Sequence, residues 1–232
     1  MERSLLWRCG RENCRGTIEM LQIVVMARWP SPGRCKRRLT RDLGNELHLS
    51  NCSERAKRIQ ERLTEHTAAV VRNLPATLGM ERVLAVSGLG VHAAGRWGQQ
   101  LGLPAVRLQG SGQLGTRLRR QFMHGHRHGM ATLVIGTDLP ELNSSDLKEA
   151  IEHVQNHDLV LGPASDGGYW LLGFGGDLIR SPQHWPLIGI PWGGPTVLEA
   201  TLEAARRQQL SCALVPQRND LDHWSDLKPW QG

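Results

Sequence analysis

The chain has 232 residues, of which 40% are hydrophobic and 22% charged, with a formal net charge of +6. This composition is typical of an ordinary globular protein with one domain of generous size. No apolar run approaches the roughly 20 residues that a transmembrane helix needs, so we expect no membrane span. The basic balance favours anionic partners, but no aromatic stacking motif is present, so we expect no nucleic acid partner.

Five cysteines form an odd, scattered set without a Cys-x-x-Cys pair. This pattern indicates reduced thiols in a cytoplasmic protein, with no disulfide framework and no zinc site. Residues 1–19 are rich in arginine and show no helical or strand period. We expect them to be an extension that is mobile or a product of start-site choice, and the working domain to be residues 20–232, beginning at Met20.

Strands alternate with helices from Leu21 onwards. The predicted strands are Leu21–Ala27, Arg82–Ser87, Ala105–Leu108, Thr132–Ile135, Asp158–Gly162, Tyr169–Phe174 and Ser211–Val215. The predicted helices are Ser53–Arg72, Val91–Leu101, Thr116–His124, Asp146–Gln155 and Thr196–Gln209. This order predicts a single-domain, three-layer α/β/α fold with a mainly parallel sheet.

The stretch from Thr132 to Leu142 places a carboxylate, Asp138, directly after a buried strand. Pro140 prevents the strand from continuing, and Asn143 can cap the next helix. Ligand crevices of open α/β sheets form at the carboxyl ends of strands, where an acid can hold a divalent cation bound to a phosphorylated ligand. The alternative is that Asp138 only caps a turn.

The loop after the first strand is rich in Pro and Gly and then in cations: Pro30, Pro32, Gly33, Arg34, Lys36, Arg37, Arg38 and Arg41. Such a loop can cradle a diphosphate, although it lacks the P-loop pattern. A solvated basic turn is the alternative interpretation.

Gly110, Gly112 and Gly115 match the dinucleotide fingerprint Gly-x-Gly-x-x-Gly between a predicted strand and a helix. The match keeps a nicotinamide- or flavin-binding oxidoreductase as an alternative. A histidine cluster, His124, His126 and His128, follows this helix, and we expect it to lie in an exposed loop without a metal.

Asp166-Gly167-Gly168 separates two apolar runs, which predicts a hairpin. Asp166 either supplies only the turn or acts as a base beside a ligand that the glycines allow to approach. Further along, Trp185 and Trp192 can wall a pocket, and a tail from Asn219 to Leu227 brings three acids near one histidine.

Five segments together resemble a bacterial family, DUF2064, whose members are glycosyltransferase-like proteins with the GT-A nucleotide-diphospho-sugar transferase fold. The segments are Pro30-x-Pro32-Gly33-x-x-Lys36-x-Arg38-Leu39, Gln109-Gly110-x-Gly112-x-Leu114-Gly115-x-Arg117, Gly136-Thr137-Asp138-x-Pro140, Gly162-Pro163-Ala164-x-Asp166-Gly167-Gly168-Tyr169, and Asp220-Leu221-Asp222 with Asp226-Leu227. Two departures are Arg37, where the family commonly has Thr, and Gln113, where an acid usually precedes Leu. The Asp-x-Asp metal motif that many glycosyltransferases carry between strands is also missing from that position, so Asp138 would need help from the substrate phosphates or from Asp222 to bind a cation.

The resemblance implies a transferase that uses a nucleotide sugar, a small-molecule acceptor and Mg²⁺ or Mn²⁺. Asp138 and Asp166 are then the candidate catalytic residues, and Asp138 and Asp222 the candidate metal ligands. The candidates for nucleotide and phosphate binding are Pro32, Gly33, Arg34, Lys36, Arg38, Gln109, Gly110, Gly112, Gly115 and Arg117. Those for the substrate pocket are Gly167, Gly168, Tyr169 and Trp192.

Relatives of this family include nucleotidyltransferases, which transfer a nucleoside monophosphate to an acidic or phosphorylated acceptor. Nucleotidyl transfer therefore stays open beside glycosyl transfer. A further alternative is a nucleotide-binding protein without catalytic activity. Gln113 supports this alternative, because it replaces an acid that in the family could contact the metal or the sugar.

Overall fold

The computed structural model describes residues 20–76 and 79–230, so the expectations for residues 1–19 lie outside the described residues. Within this part of the chain, seven strands form one sheet in the order β3-β2-β1-β4-β6-β5-β7. The strands are β1 Leu21–Arg28, β2 Met80–Ser87, β3 Ala105–Leu108, β4 Ala131–Ile135, β5 Leu159–Pro163, β6 Tyr169–Phe174 and β7 Cys212–Leu214. All neighbours pair in parallel except β6, which is antiparallel to both β4 and β5.

Seven α-helices connect the strands in the described ranges. They are α1 Arg37–Asn45, α2 Cys52–Arg72, α3 Val91–Gln100, α4 Leu114–His128, α5 Ser144–Asn156, α6 Gly176–Arg180 and α7 Val197–Arg207. The predicted mainly parallel α/β sheet and the predicted hairpin between β5 and β6 are confirmed. None of the helices in the described ranges is long and apolar enough to cross a membrane.

Two apolar layers hold the helices against the sheet. Strand β1 is buried on both faces, since Ile23 and Val25 belong to one cluster and Val24 to the other. Helices α2, α3 and α5 pack in the first cluster, and α4, α6 and α7 in the second. Each strand of a sheet covered on both faces needs apolar residues in succession, which explains the run LQIVVMA in β1.

Helix α4 differs from its predicted bounds, because it continues through the histidine cluster to His128. The prediction that these histidines lie in an exposed loop is wrong. Gly125 is accommodated within the helix since it packs tightly on the sheet, where a Cβ would overlap the Thr132 hydroxyl. The helix ends instead at Gly129, whose φ of 64° gives the left-handed C-terminal cap.

Trp185 also differs from the prediction that it walls a pocket. Its side chain is buried between Phe122 and Phe174, and its Nε1 donates to the Leu178 carbonyl at 2.8 Å. The prediction that Trp185 lines a pocket is therefore wrong, and its side chain stabilises the core beneath α4 and α6.

The predicted cap of α5 is present and fixes the segment that follows Asp138. Asn143 Oδ1 accepts from the Ser145 and Asp146 main-chain nitrogens at 2.9 and 3.1 Å, and Asp146 Oδ2 accepts from the Asn143 nitrogen at 3.1 Å. This reciprocal capping box satisfies N–H groups that the helix cannot satisfy itself.

We expect Asn143→Ala to lower the free energy of unfolding by about 1 kcal/mol, because those helix N–H groups lose their acceptor. Urea denaturation measures the change. Ser144→Ala, an exposed neighbour in the same turn, is the matched control and should change the value much less. Equal losses in the two variants would contradict the capping role.

Candidate active site

A cavity of about 540 Å³ opens at the edge of the sheet where β1, β2 and β4 end. Its charged lining consists of Arg28, Arg34, Lys36, Arg37, Arg38, Arg117, Asp138, Asp220 and Asp222. Cationic side chains therefore outnumber acidic ones around this space by six to three. A low-dielectric cleft with such an excess favours an anionic ligand.

At the centre of this lining, Lys36 lies between two carboxylates. Its Nζ is 2.6 Å from Asp138 Oδ1 and 3.2 Å from Asp222 Oδ1, and the lysine side chain is only 2% exposed. Arg38 Nη1 holds the other oxygen of Asp222, Oδ2, at 3.1 Å. The contact with Asp138 is an ion pair without hydrogen-bond geometry, so Asp138 Oδ1 is buried with no hydrogen-bond donor among the described residues.

The backbone at Lys36 is also unusual. Its φ of 46° and ψ of 48° are left-handed, a conformation that non-glycine residues rarely adopt. The strain at Lys36 directs a buried cation into the cavity immediately before α1, at the end of the Pro/Gly loop that the sequence predicts as a phosphate cradle. Backbone strain of this kind often accompanies functional sites.

The C-terminal segment supplies the second carboxylate because several contacts dock it onto the loop after β4 and onto α1. The Leu221 nitrogen donates to the Asp138 carbonyl at 2.8 Å. Asp226 Oδ2 accepts from the nitrogens of Asp222 and His223, at 2.9 and 2.7 Å, and His223 contacts Asp42 at 3.0 Å. The single histidine and Asp226 therefore shape the tail, and Asp222 is presented to the cavity.

Asp220 is a further acid of the tail that lines the cavity. Burial, followed by the negative charges of Asp138 and Asp166, raises the pKa of Asp220 from 3.8 to about 7. The sequence offered a signal in the tail signature Asp220-Leu221-Asp222, but residue type alone did not indicate which acid is buried.

The glycine segment before α4 lies at another side of the cavity. Gly110 and Gly112 have φ values of 74° and 105°, which explains the need for glycine there. Gln109 is buried, and its Nε2 donates to the carbonyls of Ala27 and Ala85 at 3.0 and 2.9 Å, linking the ends of β1 and β2. Arg117 Nε donates to the Gly112 carbonyl at 2.9 Å, which fixes its stem at the start of α4.

Asp166 performs the turn role that the sequence allowed. Its Oδ1 accepts from the Gly168 nitrogen at 2.9 Å, and its side chain is exposed. Gly167, with a φ of 85°, packs so closely on Pro195 that a Cβ would overlap the proline carbonyl. Tyr169, which follows Gly168, lines the cavity, and burial raises the pKa of its phenol, which therefore stays neutral.

The structure brings most of the predicted polar site residues to one cavity. Lining residues from the predicted set are Arg34, Lys36, Arg38, Gln109, Arg117, Asp138, Asp222 and Tyr169. Residues outside the lining are Pro32, Gly33, Gly110, Gly112, Gly115, Asp166, Gly167, Gly168 and Trp192. Trp192 packs over Gly115, where a Cβ would overlap the indole, and lies edge-on to Tyr169 with ring centroids 6.3 Å apart. The roles assigned to all these residues stay predictions.

Sequence reasoning missed several lining residues besides Asp220. Arg28 at the end of β1 adds positive charge, and Gln60 and Thr137 form a buried hydrogen bond of 3.2 Å. Arg28 could have been found from its place at a strand end. Gln60 lies within a helix far away in sequence and carries no local signal.

The residues present fit a divalent cation only in part. Asp138 and Asp222 offer hard oxygen ligands, and the buried Asp138 Oδ1 has no hydrogen-bond donor in the described ranges. No group of three or more His, Cys, Asp or Glu residues within residues 20–76 and 79–230 can hold a metal ion. A cation there would need further ligands from water or substrate phosphates, as is usual for Mg²⁺.

The raised pKa of Asp220 leads to a pH-dependent stability. Between pH 4 and about 7 the unfolded chain has lost the Asp220 proton while the folded protein keeps it, so stability decreases as pH rises through this window. At about 1.4 kcal/mol per tenfold change in proton affinity, the free energy of unfolding falls by at most about 4 kcal/mol across this window.

Asp220→Asn removes the titrating group, so its stability relative to the parent should increase as pH rises from 5 to 8. Thermal unfolding across this range measures it, and Asp177→Asn, an exposed acid on α6, is the control. A difference from the parent that is independent of pH would contradict the burial effect.

Among solved structures, this chain is similar to a protein from Desulfovibrio desulfuricans assigned as a nucleotide-diphospho-sugar transferase. The two are 26% identical, with a TM-score of 0.72 over 89% of this chain and 84% of the other. A nucleotidyl transferase from Methanothermobacter is 19% identical, with a TM-score of 0.55 and coverage of 92% and 96%. Glucosyl-3-phosphoglycerate synthase from Mycobacterium tuberculosis, solved with Mn²⁺ and UDP, is 10% identical, with a TM-score of 0.54 and coverage of 89% and 74%.

The last two likenesses are too distant in sequence to show more than a common fold. Together with the Desulfovibrio structure, they establish the GT-A architecture that the sequence predicts. No curated protein matches the chain. The family model for DUF2064, described as an uncharacterized protein conserved in bacteria, matches residues 70–194, which is more than half of the chain. The chain therefore belongs to the DUF2064 family.

Proposed function

We propose that the chain is a metal-assisted glycosyltransferase that moves a sugar from a nucleotide-diphosphate donor to a small acceptor. The observation that carries the proposal is the contact of a buried ammonium, Lys36, with the partly exposed carboxylates Asp138 and Asp222 at a cationic cavity. The likeness to a protein assigned as a nucleotide-diphospho-sugar transferase supports the choice of donor.

In this proposal the cationic loop binds the donor diphosphate. Arg34, Lys36 and Arg38 lie on the cavity wall and neutralise the charge that grows on the departing nucleoside diphosphate. Asp138 and Asp222 would hold Mg²⁺ or Mn²⁺, which supplies further charge stabilisation when bound. The Mn²⁺ in the distant synthase complex is consistent with this cation.

We assign the base to Asp166, the exposed acid of the β5–β6 turn. One of its oxygens accepts from the Gly168 nitrogen at 2.9 Å, which leaves the other free to take the proton of an attacking hydroxyl. The hydroxyl oxygen then forms the new bond to the anomeric carbon, while the bond to the diphosphate breaks. General bases of this kind typically contribute about 10²–10⁴-fold to the rate.

Nucleotidyl transfer is the second candidate, and the charge of the cavity favours it specifically. Arg28, Arg34, Arg37 and Arg117 line the cavity without a carboxylate partner among residues 20–76 and 79–230. A nucleoside triphosphate would match these cations more fully than a diphosphate, because it carries more negative charge. This reaction releases inorganic pyrophosphate, whereas glycosyl transfer releases a nucleoside diphosphate.

The test incubates the purified chain with Mn²⁺ and a panel of nucleotide sugars and nucleoside triphosphates, and assays both products. We expect release of a nucleoside diphosphate from one class of nucleotide sugar. Asp138→Asn should lower kcat/KM by about 10²–10³-fold, because the site loses a charge that holds the cation. Glu141→Gln, an exposed acid three residues away, is the matched control and should keep full turnover.

Pyrophosphate release from a triphosphate, without nucleotide-sugar turnover, would establish the second candidate instead. Unchanged turnover and unchanged metal dependence in Asp138→Asn would show that the role given to Asp138 is wrong.

A further inference from the structure

Lys36 occupies the space between two carboxylates that the proposed function assigns to a metal ion. We propose that Lys36 is a built-in cation that keeps the Asp138–Asp222 pair from binding a divalent metal until donor phosphates draw its ammonium away. The inference rests on the proposed function for the assignment of the two ligands. It adds an order of events: the metal binds productively only together with the donor.

The contacts place one ammonium on both carboxylates at once. Lys36 Nζ is 2.6 Å from Asp138 Oδ1 and 3.2 Å from Asp222 Oδ1, and almost none of the side chain reaches solvent. A divalent cation between these same oxygens would lie within a few ångströms of the ammonium. Since like charges repel at such a short separation, the lysine and the metal compete for one position.

Lys36 is suited to leave this position when another anion arrives. A lysine ammonium is a point charge on a flexible four-carbon stem, so it can exchange a carboxylate for a phosphate oxygen without loss of charge pairing. Phosphates bound along the cationic wall would offer such oxygens beside Arg34 and Arg37. The left-handed backbone of Lys36 fixes where the stem begins and limits how far the ammonium can move.

The second carboxylate stays in place when the lysine leaves. Arg38 holds Asp222 Oδ2 at 3.1 Å, and the Asp222 nitrogen donates to Asp226 at 2.9 Å. Asp138 is likewise anchored through its carbonyl, which accepts from the Leu221 nitrogen at 2.8 Å. Removal of the ammonium therefore leaves two positioned carboxylates, of which Asp138 loses its ion-pair partner and Asp222 keeps only Arg38, so both have oxygens available for a cation.

Such competition couples the two ligands thermodynamically. If phosphate binding removes the ammonium and so strengthens metal binding, the metal must strengthen phosphate binding by the same factor. The lysine thus makes the binding of the metal and the binding of the donor phosphates cooperative. A neutral side chain at position 36 removes the competitor and uncouples them.

The test measures Mn²⁺ binding to the full chain without any nucleotide, by the loss of the free Mn²⁺ electron paramagnetic resonance signal. We expect the parent to bind weakly and Lys36→Met to bind about tenfold more tightly or better, a typical size for such coupling. Lys36→Arg keeps a cation and should bind as weakly as the parent. Arg37→Met is the matched control, because it removes one neighbouring charge of the same cavity that contacts no carboxylate in the described part of the chain.

Circular dichroism and thermal unfolding establish that each variant is folded, and Lys36→Gln is a second neutral variant if Lys36→Met does not fold. Equal Mn²⁺ affinity in the parent and a folded neutral variant would overturn the inference, as would an equal gain in Arg37→Met. The outcome is separable from the proposed function. Tighter Mn²⁺ binding without transfer of any donor would refute only the function, and metal-dependent transfer without tighter binding would refute only the inference.

Discussion

The ion pair between Lys36 and the two carboxylates Asp138 and Asp222 is the constraint on which the site depends. Three segments far apart in sequence must meet at this point: the loop after β1, the turn after β4 and the C-terminal tail. Each brings a charge that is costly to bury alone. Their juxtaposition is tolerated because the opposite charges compensate one another, and a ligand that changes one charge changes the whole cluster.

The sheet explains why these charges meet. β1 and β4 are parallel neighbours, so their carboxyl ends deliver Lys36 and Asp138 to the same edge. The tail then passes over this edge, where Leu221 is buried with Leu39 and Leu43 of α1 and Leu63 of α2. Apolar packing thus positions a polar site. Burying an acid at this edge costs free energy. Asp220 shows this, because desolvation and the neighbouring negative charges raise its pKa.

Much of the fold could be predicted from the sequence because its local signals agree with the tertiary structure. The apolar run of β1 indicated a strand covered on both faces, and Asn143 indicated a cap for α5, which begins at Ser144, two residues before its predicted start. The predictions failed where packing overrides local preference. Gly125 does not end α4, because the sheet lies close against it, and Trp185 is in the core instead of a pocket wall.

For the site, the sequence predicted which segments carry its charges but not how those charges pair. A loop of cations and an acid at a strand end indicated opposite walls of a cleft, and the structure places Lys36 in direct contact with Asp138. No sequence rule separates Lys36 from Arg37, although one is buried between carboxylates and the other is exposed. That difference arises from a left-handed backbone at a single residue, which sequence patterns do not reveal.

The central claim is that this cavity binds a nucleotide diphosphate together with a divalent cation at Asp138. A thermal-shift screen of nucleotides and nucleotide sugars, each with and without Mn²⁺, tests it most directly, because a ligand that binds the folded state raises its stability with the logarithm of its saturation. The account predicts that one nucleotide class raises the melting temperature more with Mn²⁺ than the sum of the two separate shifts, and that Asp138→Asn loses this excess. Absence of any nucleotide-dependent shift, or an undiminished excess in Asp138→Asn, would contradict it.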